Sequence, residues 1–470
     1  MNERGIRSFA VPPLLITIGI TYFVLILVSG PQALDPMLRH DDFPALLADP
    51  SGFYVKTLEE GRWLNYWWHL RGWISPAWLN FAVYQFLWAT FAGAAAINAC
   101  GKKEQLTYTI ALALIIALAT PALLISLWFN TLIPGLGLVA LFAALATFLS
   151  AANTRLLLLV FVPLTLMAYT TYPFLLLAIC LTTHGITRSW RDLTALMGIF
   201  VVSFILSILL IYSINYVEHG IFGIPVAEWR GPKPAHDLVS VIANLHLISD
   251  FLAESVMVIS YDVVPLIVLN SLILVVVFIV SIRVEPWVTL YIFTGILTGL
   301  NLIFLQMLLN GVTVPPRALG FVWMLYCILC VRAALKGRDR GGRYASISWA
   351  LIVFSVTIYF VCNAKHYFLL SEWQAETRKL ADQVGDGASP IYLIGSYKAL
   401  PGAKAAGIQQ PRGLRSRLTY LTEREVYSCE ETPEVCKELP LEIISDQTFS
   451  SAIVRQFPDR IEIHLPTLAE

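Results

Sequence analysis

Asp41 and Asp42 are the residues best suited to chemistry, adjacent carboxylates just beyond the first long apolar stretch of the chain. Two neighbouring carboxylates repel each other, so keeping both ionised requires a cation, an arginine or a proton-donating substrate beside them. One can serve as general base while the other orients substrate or binds a metal; a divalent ion, if used, would take Asp41 and Asp42 as ligands, with His40 or His69 in reach along the chain. The plainer reading is an N-cap and first-turn acid for the helix that follows. Arg62, between Gly61 and Trp63, and Arg317, after Val314-Pro315-Pro316, are suited to a phosphate, because a guanidinium offers a planar fork and stays charged. Trp63 could stack on a sugar face, and Arg317 has no acidic neighbour in sequence. Anchoring at lipid headgroups would use the same arginines, and a His among aromatics is commonly a headgroup contact. Glu218 with His219, Gln306 with Asn310, and Tyr169 with Tyr172 are further polar candidates. Helix-joining amides and an aromatic belt account for the last two pairs without function. Neither a Walker loop nor a dinucleotide fingerprint is present, so direct use of ATP is not expected.

These residues must be held by a membrane-embedded scaffold. Of the 470 residues, 57% are hydrophobic and 14% charged, far fewer charges than a soluble surface needs. Apolar runs long enough to cross about 30 Å of hydrocarbon recur between residues 11 and 361, which places about eleven helices in a bilayer. The first run ends without a small-x-small cleavage site and reads as a retained helix. Zero formal net charge argues against a nucleic-acid partner.

Lys and Arg set the expected orientation, since short loops that carry them stay in the cytoplasm. Arg4 and Arg7 put the N-terminus inside. Inside turns then hold Lys102-Lys103, Arg155, Arg188 with Arg191, Arg283, and the group Lys336, Arg338, Arg340 and Arg343. Residues 155–187 read as a bent hairpin centred on 169–173, because both arms are short for upright spans. Three segments fall outside the cell in this register: the loop 31–75 with the aspartates, the loop 217–256 with an apolar stripe suited to a helix lying flat in the interface, and the tail 363–470. The tail holds roughly two-fifths of the charged residues in under a quarter of the length, a shift that marks a small soluble α/β domain after the membrane domain 1–362.

Five of the seven cysteines lie in or beside apolar spans, where a thiol is a small hydrophobe. Cys429 and Cys436 lie in the tail at a spacing that a tight loop can close as a disulfide in an oxidising compartment, and His464 alone does not complete a zinc site.

A retained first helix, Asp41-Asp42 followed by Phe43 at the start of the first external loop, and Gly61-Arg62-Trp63 before an aromatic stretch together resemble the membrane glycosyltransferases of the GT-C fold. Within them the chain is most similar to the glucosyltransferase type II family of O-antigen modification. Where those relatives carry a Tyr-Gln pair at the outer end of a membrane helix, this chain has Tyr172-Pro173. The resemblance implies a polyprenyl-phosphate sugar as donor, an envelope glycan as acceptor, reaction at the periplasmic face of a bacterial inner membrane, and one of Asp41 and Asp42, first Asp41, as the base. It implies a glucosyl donor by default, with a pentosyl one such as arabinofuranosyl as the alternative. A transporter or flippase of polyprenyl-linked glycan is the competing class, but residues 106–153 carry no charge and no internal repeat is evident, which disfavours it.

Overall fold

The computed structural model describes residues 11–47, 49–101, 105–437 and 451–466. Arg4, Arg7, Lys102 and Lys103, on which the expected orientation partly rests, lie outside them. The chain is mostly helical: α1 (Val11–Val28), α2 (Ser51–Glu60), α3 (Trp63–His69), α4 (Ala77–Cys100), α5 (Leu106–Ala117), α6 (Thr120–Ser126), α7 (Phe129–Phe148), α8 (Ala151–Leu166), α9 (Tyr172–Thr182), α10 (Trp190–His219), α11 (Leu238–Ala243), α12 (Leu245–Ile259), α13 (Val264–Val284), α14 (Pro286–Asn310), α15 (Gly320–Arg340) and α16 (Gly342–Val384). Such apolar sequences become helices because a helix satisfies its own backbone where lipid offers no partner.

Among the described residues, seven helices are long and apolar enough to cross a bilayer, or eight if α5 and α6, bent by 53° at their junction, count as one. The expected total of about eleven also takes in shorter helices such as α8 and α9, whose lengths alone do not establish a crossing. Every residue of α9 is buried, so protein surrounds it and its sequence is apolar on all sides. Residues 238–259 pass the length test, yet they leave and rejoin the bundle at one end. His219, closing α10, meets Thr57 of α2 at 2.7 Å. At the far end of the following helix, α13, Glu285 pairs with Arg332 deep along α15 at 3.0 Å. A segment that returns to the end it left does not cross, which agrees with a helix pair lying along the bundle's end. Gly311 closes α14 with φ +61°, and a Cβ there would stand 2.2 Å from the Lys233 carbonyl oxygen.

The two ends of the bundle are built differently. At one end lie the loop 29–76 and the C-terminal domain; at the other, the turns carry Arg155 with Asp192, Arg188, and Arg332 with Glu285. Helix α16 has 43 residues and, at about 1.5 Å per residue, runs about 65 Å, so the expected boundary near 362 falls inside a continuous helix. Beyond it come β1 (Ile391–Ile394), α17 (Pro401–Ala405), α18 (Pro411–Thr422), β2 (Val426–Ser428), α19 (Pro433–Lys437), β3 (Ile453–Gln456) and β4 (Ile461–His464). The sheet order is β2-β1-β4-β3, with β1 parallel to both neighbours and β3 antiparallel to β4. Cys429 and Cys436 are joined as a disulfide.

The tail is tied to the first loop by buried polar contacts. Asp35 accepts Arg417 on both carboxylate oxygens and Arg378 at 2.8 Å. Arg417 is 2% exposed. Gln32 and Gln374 exchange side-chain hydrogen bonds nearby. Removing one partner of such a pair strands the other charge, so Asp35→Ala is expected to cost about 3 kcal/mol or more. Limited proteolysis of the solubilised protein should then cut between α16 and β1 well before it touches the helical bundle.

Candidate functional site

A polar cleft of about 340 Å³ opens where the first loop, the bundle and the C-terminal domain meet. Helix α2 supplies Lys56, Glu59 and Glu60, and the residues just before it supply His40 and Asp41. Trp128 and Tyr169 come from the turns before α7 and α9, Arg317 from the 3-10 turn Pro316–Leu319, and Trp229 and Arg230 from the loop after α10. The C-terminal domain adds Gln409, Gln410 and Arg412.

The aspartate pair divides its labour. Asp42 is wholly buried, and its carboxylate accepts the backbone amides of Asn130 at 3.1 Å and Thr131 at 2.8 Å, in the first turn of α7. Those amides have no partner within their own helix, and the helix dipole favours an anion there. Burial pushes the Asp42 carboxyl up to about 7 against these hydrogen bonds. The expectation of a second catalytic carboxylate is therefore corrected: Asp42 is a cap, turned away from the cleft, though for α7 and not for the helix next in sequence. Asp41 lines the cleft. Its Oδ2 accepts Lys56 Nζ at 2.9 Å, and its Oδ1 lies 3.1 Å from His40 Nε2. Burial alone would raise it, but Lys56 and His40 outweigh that and hold the carboxyl well below its usual range.

Arg62 is held by Glu60 and lies over the Tyr169 ring at 5.6 Å. Glu60 also meets Lys56 at 3.4 Å and Arg230 at 3.6 Å, so one buried carboxylate serves three cations. Arg317 stacks on Trp128 at 4.1 Å, and Arg39 approaches the same ring at 5.5 Å. Among the described residues no carboxylate pairs with Arg39, Arg317 or Arg412. Burial, with Arg317 nearby, pulls Arg39 down to about 10, and its Nε is buried with no hydrogen-bond partner. The cleft thus gathers carboxylates already paired with cations together with Arg317 and Arg412, which have no carboxylate partner among the described residues.

Asp41, Arg62 and Arg317 line one cleft, but Trp63, His69, Tyr172, Gln306, Asn310, Glu218 and His219 do not. Trp63 is buried and donates its indole N–H to Asn215 Oδ1 at 2.7 Å, which makes it an anchor for α3 and not a sugar platform. His69 stacks on Phe53 at 4.6 Å inside the loop; burial, then Arg71, push its imidazole down to about 4. Tyr172 is buried against Gly135, whose missing Cβ lets the ring approach, and Tyr169 one turn earlier lines the cleft instead. Gln306 is exposed on α14. Of the polar pair after α10, Glu218 is exposed and His219 packs on Trp63 and Thr57. The donor set does not fit a resident divalent ion: Lys56 occupies Asp41, the α7 amides occupy Asp42, and no group of three ligating side chains converges among the described residues.

Sequence reading missed Lys56, Glu60, Arg39, Arg230 and Arg412. Spacing four apart on one helix is a legible signal for Lys56 and Glu60. The others come from distant segments, and no local pattern links them.

Two measurements follow from the loop. Asp42→Asn leaves one α7 amide facing an amide donor, so thermal unfolding in detergent should show a loss of about 1–2 kcal/mol. His69 protonates near 6.5 when unfolded and only near 4 when folded, so its contribution is complete above 6.5 and is lost as pH falls toward 4. The difference in melting temperature between the protein and His69→Gln should shrink over that window; a difference that stays flat would show His69 to be uninvolved. Comparison with protein-family models, curated proteins and solved structures finds no match, so what the cleft does has to be inferred from its own geometry.

Proposed function

We propose that the protein is a membrane glycosyltransferase that moves a sugar, glucosyl in the first instance, from a polyprenyl-phosphate donor to an envelope glycan such as O-antigen. The observation that carries this reading is one cleft lined both by an ionised Asp41 and by Arg317, which has no carboxylate partner among the described residues, with Arg39 at the same Trp128 ring. A lipid phosphate needs a cationic seat at the membrane boundary, and an acceptor hydroxyl needs a carboxylate within reach of its proton. The resemblance to GT-C enzymes, and within them to the glucosyltransferase type II family, points to the same pairing of roles.

In this reaction the acceptor oxygen bonds to the anomeric carbon as the bond from that carbon to the phosphate oxygen breaks. Asp41 takes the hydroxyl proton, and the electron pair leaves with the polyprenyl phosphate. Because Lys56 and His40 keep Asp41 weakly basic, proton transfer comes late, once attack has made the hydroxyl acidic. Arg317 offsets charge on the departing phosphate, and in-line attack inverts the sugar carbon. Basic turns at the end opposite the cleft support a cytoplasmic N-terminus and a cleft on the periplasmic side of a bacterial inner membrane, with about eleven crossings in all. A disulfide in the tail supports the same side.

The test is transfer of labelled glucose from polyprenyl-phosphate glucose to the cells' own lipid-linked glycan in isolated membranes. Asp41→Asn should lower transfer by about 10²-fold or more with expression unchanged, and Arg317→Ala by about 10²-fold. Full activity in Asp41→Asn would remove the proposed base. Loss of glycan export without loss of transfer would move the protein to the carriers.

A further inference from the structure

A second cavity of about 340 Å³ lies far from the cleft, along the lipid-facing seam of α13, α15 and α16. It follows α15 from Trp323 to Gly337, a rise of about 21 Å at 1.5 Å per residue. Its walls are apolar: Val276 and Val280 on one side, Ile347 and Leu351 on the other, with Ala333 on the floor. At the end opposite the cleft it is lined by Lys336, whose side chain is 43% exposed, and by the exposed Tyr344. Lys336 is only loosely engaged, 3.9 Å from a Glu285 carboxylate that Arg332 already grips at 3.0 Å. Arg338 adds positive charge at that level, against Glu285 and Asp339, which Arg332 and Arg338 already engage. A slot long enough for a lipid chain, greasy along its length and basic at one mouth at headgroup depth, matches an amphiphile with an anionic head.

We propose that this groove holds one anionic phospholipid from the leaflet opposite the cleft, with an acyl chain along α15 and its phosphate at Lys336. Gly337 lets α15 and α16 close on each other at Ser348, 3.1 Å from where a Cβ would stand, while the short side chain of Ala333 leaves room along the slot. The bound chain fills the space between α13 and α16, helices that otherwise bury little of their surface in the bundle.

The test is native mass spectrometry of the purified full chain with phosphatidylglycerol or phosphatidylcholine added at equal concentration. One phosphatidylglycerol should be retained about fivefold more strongly than phosphatidylcholine, the fold-change expected of one lysine near a headgroup. Lys336→Gln should bring the two lipids level. Arg343→Gln removes the same charge at the same membrane face outside the groove and should leave the preference intact. Ala333→Trp fills the floor and should lose the retained lipid of either head group. Equal retention of the two lipids by the unaltered protein would overturn the proposal in favour of unspecific boundary lipid. Equal losses from Lys336→Gln and Arg343→Gln would overturn it in favour of a diffuse surface field, and retained lipid in Ala333→Trp would place the binding elsewhere.

Discussion

The first amides of α7 begin inside the packed end of the bundle, where water does not reach them, and they must find acceptors within the protein. Asp42 supplies both carboxylate oxygens, Asn130 returns a side-chain hydrogen bond to the Asp42 carbonyl, and Thr131 does the same to that of Asp41. This knot fixes the backbone of the first loop against the bundle. With Asp42 held inward, Asp41 faces the opposite way, into the cleft beside Lys56. A carboxylate that satisfies a helix end thus places its neighbour at the site.

Around that knot the cleft is assembled from cations that outnumber their partners. Glu60 contacts Arg62, Arg230 and Lys56, and Asp41 contacts Lys56, so two carboxylates face three cations. Among the described residues no carboxylate pairs with the half-buried Arg317 and Arg412 that line the cleft, or with the buried Arg39 behind Trp128, so an incoming anion would find positive charge to balance. Aromatic stacking on Trp128 holds two of the guanidiniums in place without consuming their charge. The C-terminal domain is part of this arrangement and not an appendage: the Arg39 guanidinium also binds the Gly407 carbonyl, and the ion pair from Asp35 to Arg417 keeps Gln409, Gln410 and Arg412 over the opening.

The lipid-facing groove runs along α15 and the polar cleft lies just before its first turn, at Arg317, and the two follow opposite rules. At the cleft, polar and charged groups from five segments converge on one space. In the groove, apolar walls do the holding and charge acts only at the rim. Both depend on small or absent side chains where helices meet, as at Gly135 beneath Tyr172 and Gly337 beside Ser348.

The membrane character, the helical scaffold and the charged tail are legible in the sequence because they are properties of composition and run length, which chain order alone carries. The same holds for the pairing of Cys429 with Cys436, close in sequence, and for Asp41 and Arg317, singled out by residue type and by lack of acidic neighbours. What chain order does not carry is which of two adjacent aspartates faces inward, whether Trp63 and His69 pack or bind, and that Tyr169 and not Tyr172 reaches the cleft. Each was decided by a partner far away in the chain: Asn130 for Asp42, Asn215 for Trp63, Phe53 for His69, Gly135 for Tyr172. Nor does a window of hydropathy tell that residues 238–259 return to the end they left, because apolar length measures what a helix tolerates as solvent and only contacts with its neighbours fix where it lies.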